Sequence, residues 1–106
     1  MKIQENSFYN LVSIDASSFE EFTLNISSLM TNNLVIEVFE NLNIDETKIS
    51  LFLDFSARFK ENGMSFVLIK SGIDIDDYPE SLNIAPTLQE AEDILEMEAI
   101  ERDLGF

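Results

Sequence analysis

The 106-residue chain contains no cysteine and no histidine. That absence removes disulfides, thiolate nucleophiles, imidazole bases and nearly every zinc site at once. Basic residues are also scarce. Lys2, Lys48, Arg58, Lys60, Lys70 and Arg102 stand against 21 acids, for a net charge of −15. Nucleic acids and anionic membranes bind cationic faces that release counterions from phosphates, and this surface would repel both. Gly63, Gly72 and Gly105 stand alone, which leaves no glycine-rich phosphate cradle. No stretch approaches the roughly 18 apolar residues of a membrane span. Met1-Lys2-Ile3-Gln4-Glu5 does not open a secretory signal either. Together these gaps predict a cytoplasmic protein with no metal, no cofactor and no catalytic residue.

What remains is enough for one core. Hydrophobic residues make up 45% of the chain, with nine Phe, while Gly and Pro number three and two. Residues 1–106 therefore read as a single ordered domain. The acidity serves solubility, and where it serves recognition it suits a partner protein with a basic surface.

Hydrophobic periodicity orders the elements. Ile3 and Tyr9 to Ile14 alternate as two short strands around Asn6-Ser7, an opening hairpin. Ser18 with Glu21 matches a capping box, followed at helical spacing by Phe19, Phe22, Ile26, Leu29 and Met30. Leu34-Val35-Ile36-Glu37-Val38-Phe39 reads as a strand buried on both faces, at the centre of the sheet. Asp45 is placed to cap a second helix with Ile49, Phe52, Leu53 and Phe59 inward, stopped by Asn62-Gly63. Leu51 and Phe55 widen its apolar arc beyond one sheet face, a candidate partner surface. Met64 to Ile69 is a further interior strand, and 71–82 an acidic loop with room for one helical turn. Asn83-Ile84-Ala85 is a short last strand. Thr87 with Glu90 opens a final helix over about 87–104. Alternating strands and helices imply a partly parallel sheet with right-handed crossovers.

Motifs for chemistry are few. Asp74-Ile75-Asp76-Asp77-Tyr78-Pro79-Glu80 lacks the glycine and the twelfth-position glutamate of a calcium loop, so it reads as solvated acid. Asn25-Ile26-Ser27 fits the glycosylation pattern but sits inside a predicted helix. The last helix is more informative. Leu88, Ala91, Leu95 and Ala99 share one stripe, and Met97, Ile100 and Leu104 share another, roughly opposite. One sheet cannot bury both. Either Met97, Ile100, Leu104 and Phe106 form an exposed strip among Glu96, Glu98, Glu101 and Asp103, or the helix bends near Glu98 and the tail folds back.

Four short stretches carry a family resemblance. Ile44-Asp45-Glu46-Thr47-Lys48-Ile49, leading into a helix, then Asn62-Gly63 and Phe66-Val67-Leu68-Ile69, resemble the STAS family of anti-sigma-factor antagonists. In that family an Asp-Ser-Ser-Gly-Leu turn opens the equivalent helix. Asn83 to Ala91 is similar to the family's entry into its last helix. The resemblance implies a single STAS-like α/β domain. Its sheet would be mixed, mostly parallel and of four to five strands, with three to four helices mainly on one face. It also implies a non-catalytic regulatory module, with Asp45, Glu46, Thr47 and Lys48 in the partner-binding turn.

The departure from the family is Glu46, standing where its antagonists carry a phosphorylatable Ser. A carboxylate there supplies a permanent negative charge at a helix N-terminus. Glu46 either mimics the modified state, marks a constitutive adaptor whose switch is lost, or is simply a good first-turn residue. Thr47 is the remaining phosphorylation candidate. The alternative to an antagonist-like module is a small homodimeric or assembly subunit, using the apolar side of the last helix and having no sigma-factor role.

Overall fold

A computed structural model describes residues 1–72 and 74–105, apart from the Ile75 side chain. The element order begins with β1 (Lys2–Glu5), β2 (Tyr9–Ile14), α1 (Phe19–Leu24) and a 3₁₀ helix (Ile26–Leu29). It continues through β3 (Asn33–Val38), α2 (Glu46–Glu61) and β4 (Phe66–Ile69), then a 3₁₀ turn (Ile75–Asp77), β5 (Ile84–Ala85) and α3 (Leu88–Asp103).

The five strands lie in the order β1-β2-β3-β4-β5, with β1 antiparallel to β2 and every other pairing parallel. Because each parallel step moves the same way across the sheet, right-handed connections carry α1 and α2 to the same face. There Phe22, Phe52, Phe55, Phe59 and Phe66 pack with Val12, Leu34, Ile36 and Leu68. Phe52 sits at the middle of this aromatic cluster, its ring 5.9 Å from Phe19, 6.4 Å from Phe22 and 6.3 Å from Phe66. Alternate strand residues point the other way, and α3 covers them: Val35, Val67 and Ile69 meet Ala91 and Leu95. The helices thus divide two to one between the faces.

Several local expectations are corrected. Ser18 does not cap α1 through its side chain. Its hydroxyl donates to Asp15 Oδ1 at 2.9 Å and accepts the Asp15 N–H at 2.9 Å, so a nearer carboxylate has captured it. The first helix is not continuous to Met30. Asn25 Nδ2 bonds the Glu21 carbonyl at 2.8 Å and Ser28 Oγ the Asn25 carbonyl at 2.7 Å, side-chain bonds that compete with the helical ladder. The tighter 3₁₀ turn that follows still stacks Ile26 over Leu29, and both are buried. Phe39 lies beyond the third strand and is 48% exposed. Phe55 and Leu51 offer no partner surface, since α1 fills that side: Phe55 meets Phe22 edge-on at 5.9 Å and Leu51 packs on the core. The α2 stop is as read, with Gly63 at φ +74°, a conformation only glycine takes freely.

Truncating the central ring should show which face dominates stability. Phe52→Ala is expected to cost about 3–5 kcal/mol in urea unfolding, as buried Phe truncations do.

Candidate functional site

Two groups of residues stand out in the sequence, and the structure keeps them apart. Asp45 to Lys48 lie where the chain leaves β3 and enters α2, at the carboxyl ends of the parallel strands. Met97, Ile100 and Leu104 lie on the other face, toward the amino ends, because α3 runs back antiparallel to β5 and its Arg102 reaches Ser65 just before β4. Phe106 lies outside the described residues.

The α2 turn is held by its own charges. Asp45 Oδ1 accepts the Lys48 N–H at 3.0 Å, the cap that satisfies one free donor of the first turn. Lys48 Nζ approaches Asp45 Oδ2 at 3.4 Å and lies 5.4 Å from the centre of the Phe19 ring. The Lys48 N–H bond, with help from its ammonium, holds the Asp45 carboxyl below the usual carboxylate range. Bonds from the Ser17 and Ser18 hydroxyls do the same for Asp15. Glu46 and Thr47 are exposed and face solvent.

The last helix is set in rotation by polar contacts on its sheetward side. Tyr9 Oη donates to Glu92 Oε2 at 3.0 Å, and burial followed by that carboxylate raises the phenol's pKa. Asn83 Nδ2 donates to Glu98 Oε2 at 2.8 Å. Arg102 Nη1 donates to Ser65 Oγ at 3.1 Å. Ser65 in turn gives its N–H to Asn33 Oδ1 at 2.8 Å, and Asn33 Nδ2 bonds the Phe8 carbonyl at 2.9 Å. A chain of hydrogen bonds therefore runs from the far end of α3 to the amino ends of β2, β3 and β4.

At 3.6 residues per turn, Ala91, Leu95 and Arg102 fall within about 40° of one another, and Met97, Ile100 and Leu104 centre about 170° away. Ala91 and Leu95 are fully buried, while Met97, Ile100 and Leu104 are 63%, 59% and 64% exposed. No bend interrupts α3 at Glu98; the helix is continuous to Asp103. The tail does not fold back through Leu104. Leu88, expected against the sheet, is 37% exposed, because it sits in the first turn where the helix overhangs the strand ends.

One surface escaped the sequence reading. α3 lies over β4 and β5 and reaches Val35 of β3 and Tyr9 at the start of β2, so the part of that sheet face it leaves open is β1 and the carboxyl ends of β2 and β3. Lys2, Gln4, Leu11, Ser13, Glu37 and Phe39 line a shallow polar depression there, with Ser13 Oγ bonded to Glu37 Oε1 at 3.1 Å. The signal was present in the alternation: Ser13 and Glu37 are polar positions near the carboxyl ends of two mainly apolar strands, paired in register on one face. Among the described residues no group of three or more acids is arranged to hold a metal ion. None of their helices is long and apolar enough to cross a membrane.

This arrangement is a STAS-like α/β fold. It is similar to a solved structure described as the molecular architecture of the stressosome, a signal integration and transduction hub. The TM-score is 0.56 at 24% identity, over 92% of this chain and 98% of that one. No family model and no curated protein matches the sequence.

The lowered Asp45 and Asp15 carboxyls set a pH dependence. Their stabilisation is complete above the ordinary aspartate range, near pH 4, and is lost as pH falls through their depressed folded values. Urea unfolding between about pH 6 and pH 2.5 is expected to fall less steeply with acid in Asp45→Asn than in the parent.

Proposed function

We propose that the chain is a non-catalytic, protein-binding module of the regulatory or assembly kind, acting in the cytoplasm through the outer strip of α3. The observation that carries this reading is the set of three large apolar side chains, each about 60% exposed, on the side of α3 opposite the sheet. Single exposed apolar residues are ordinary, but a helical row of them amid charge is the form of a partner surface. The absence of cysteine and histidine, and the fold likeness to a stressosome structure, support the same reading.

The turn Asp45-Glu46-Thr47-Lys48 is a second binding surface in this account. Its first turn carries Glu46 in place of a phosphorylatable Ser, so the module acts constitutively or as a locked form. Thr47, exposed at the same helix start, is the residue open to modification. Because the two surfaces lie on opposite faces and opposite ends, one partner on each is compatible with the geometry. Self-association through α3, with no sigma-factor role, is the rival outcome.

Leu104→Glu separates folding from association. Unfolding stability is expected to stay within about 0.5 kcal/mol of the parent, as for exposed positions generally. Complexes recovered from the native cell by pull-down should be lost. Retention of every partner by the variant would remove the α3 strip from the account, and a large loss of stability would show the strip to be core.

A further inference from the structure

We infer that the occupant of the α3 strip is a basic amphipathic helix of another protein, laid along α3, rather than a second copy of this chain. The inference rests on the proposed binding role of the strip and specifies the chemistry of its partner. Met97, Ile100 and Leu104 are spaced i, i+3 and i+7, so they form one row about 10 Å long. That is the length of two helical turns, and it matches anchors repeated at the same spacing on a facing helix.

The row does not end in neutral surface. Glu90, Asp93 and Glu101 project within about 40° of Met97, so the apolar row is continued by acids toward the start of α3 and flanked by one near its end. All three are exposed. No basic side chain shares that side: Arg102, the single cation of α3, is turned to the sheet and bonded to Ser65. A helix docking here therefore needs apolar residues for the row and Lys or Arg for the acids.

A second copy fits poorly. Two α3 helices meeting about a twofold axis would bring the Glu101 carboxylates together, between chains that each carry −15. The apolar row presents on the order of a few hundred Å², below the roughly 800 Å² per partner of a standard stable interface. Apolar contact alone does not hold such a pair, whereas opposite charge on a partner supplies both steering and register. An anionic bilayer is repelled by the same acids.

The test is a heteronuclear NMR titration of the full chain with two synthetic amphipathic helical peptides that share one leucine row. One is flanked by Lys and the other by Glu. The Lys peptide is expected to shift the amides of Met97, Ile100 and Leu104 together with those of Glu90 and Asp93, saturably and less strongly as salt is raised. Ile100→Ser should weaken it about tenfold, the effect of removing a central anchor. Glu90→Gln with Asp93→Asn should weaken it severalfold while leaving the apolar row intact; the dispersion of each variant's spectrum reports that it is folded. The Glu peptide should produce no shifts.

Equal response to both peptides, a Lys-peptide response indifferent to Ile100→Ser, or binding of anionic phosphatidylglycerol vesicles through the strip would overturn the inference. So would a dimer of the chain alone in light scattering that Leu104→Glu dissolves. If native partners depend on Leu104 yet dock an acidic or extended segment, the inference fails and the binding role stands. If none depends on Leu104, both fail.

Discussion

The rotation of α3 about its own axis decides what this molecule presents to its surroundings. Three side-chain hydrogen bonds, Tyr9 to Glu92, Asn83 to Glu98 and Arg102 to Ser65, all lie on the side that also buries Ala91 and Leu95. Each is a charge-assisted contact at the edge of the packed face, of the kind that fixes orientation more than it adds stability. With that side committed to the sheet, helical geometry leaves Met97, Ile100 and Leu104 no course but outward. Turning the helix to bury them would leave Glu92, Glu98 and Arg102 without partners, and would lift Leu95 out of the core.

The sheet supplies the reason this helix stands alone on its face. A linear strand order sends both crossover helices to one side, and that side holds the Phe cluster and most of the core. The other side is covered by whatever follows β5. One helix cannot span the whole sheet: beyond Tyr9 and Val35, which it still reaches, β1 and the carboxyl ends of β2 and β3 stay open there, and Ser13 and Glu37 at those ends are polar. Thus the same topology yields a dense hydrophobic layer, a lightly clad second face, and a helix whose outer side has no neighbour.

Much of this was legible in the chain itself. The hairpin, the interior strands at Leu34 and Phe66, the Asp45 and Thr87 caps and the Gly63 stop are each written in a local pattern with one physical reading. The two stripes of α3 were also visible, since helical projection needs no tertiary information. The choice between an exposed strip and a folded-back tail was not legible, because it turns on Arg102 finding Ser65 and Asn83 finding Glu98, pairs separated by 37 and 15 residues. The break after Leu24 was missed for a similar reason: Ser and Asn at helical positions read as tolerated until their side chains are seen bonding the backbone. Leu51 and Phe55 were misread because sequence cannot tell that α1 would lie beside α2 and use the extra apolar arc. The α2 turn was found by its likeness to a family, and its geometry adds a well-capped helix start with Glu46 and Thr47 in solvent.

Because the chain has no native cysteine, a single introduced thiol reports the setting of α3 without interference. Ile100→Cys and Leu95→Cys can be compared for their rate of reaction with a water-soluble maleimide in the folded monomer. With α3 set as described, the thiol at position 100 reacts at close to the rate of a free thiol, and the one at position 95 only after unfolding. Protection of the position-100 thiol in the monomer, with ready reaction at position 95, would contradict that setting.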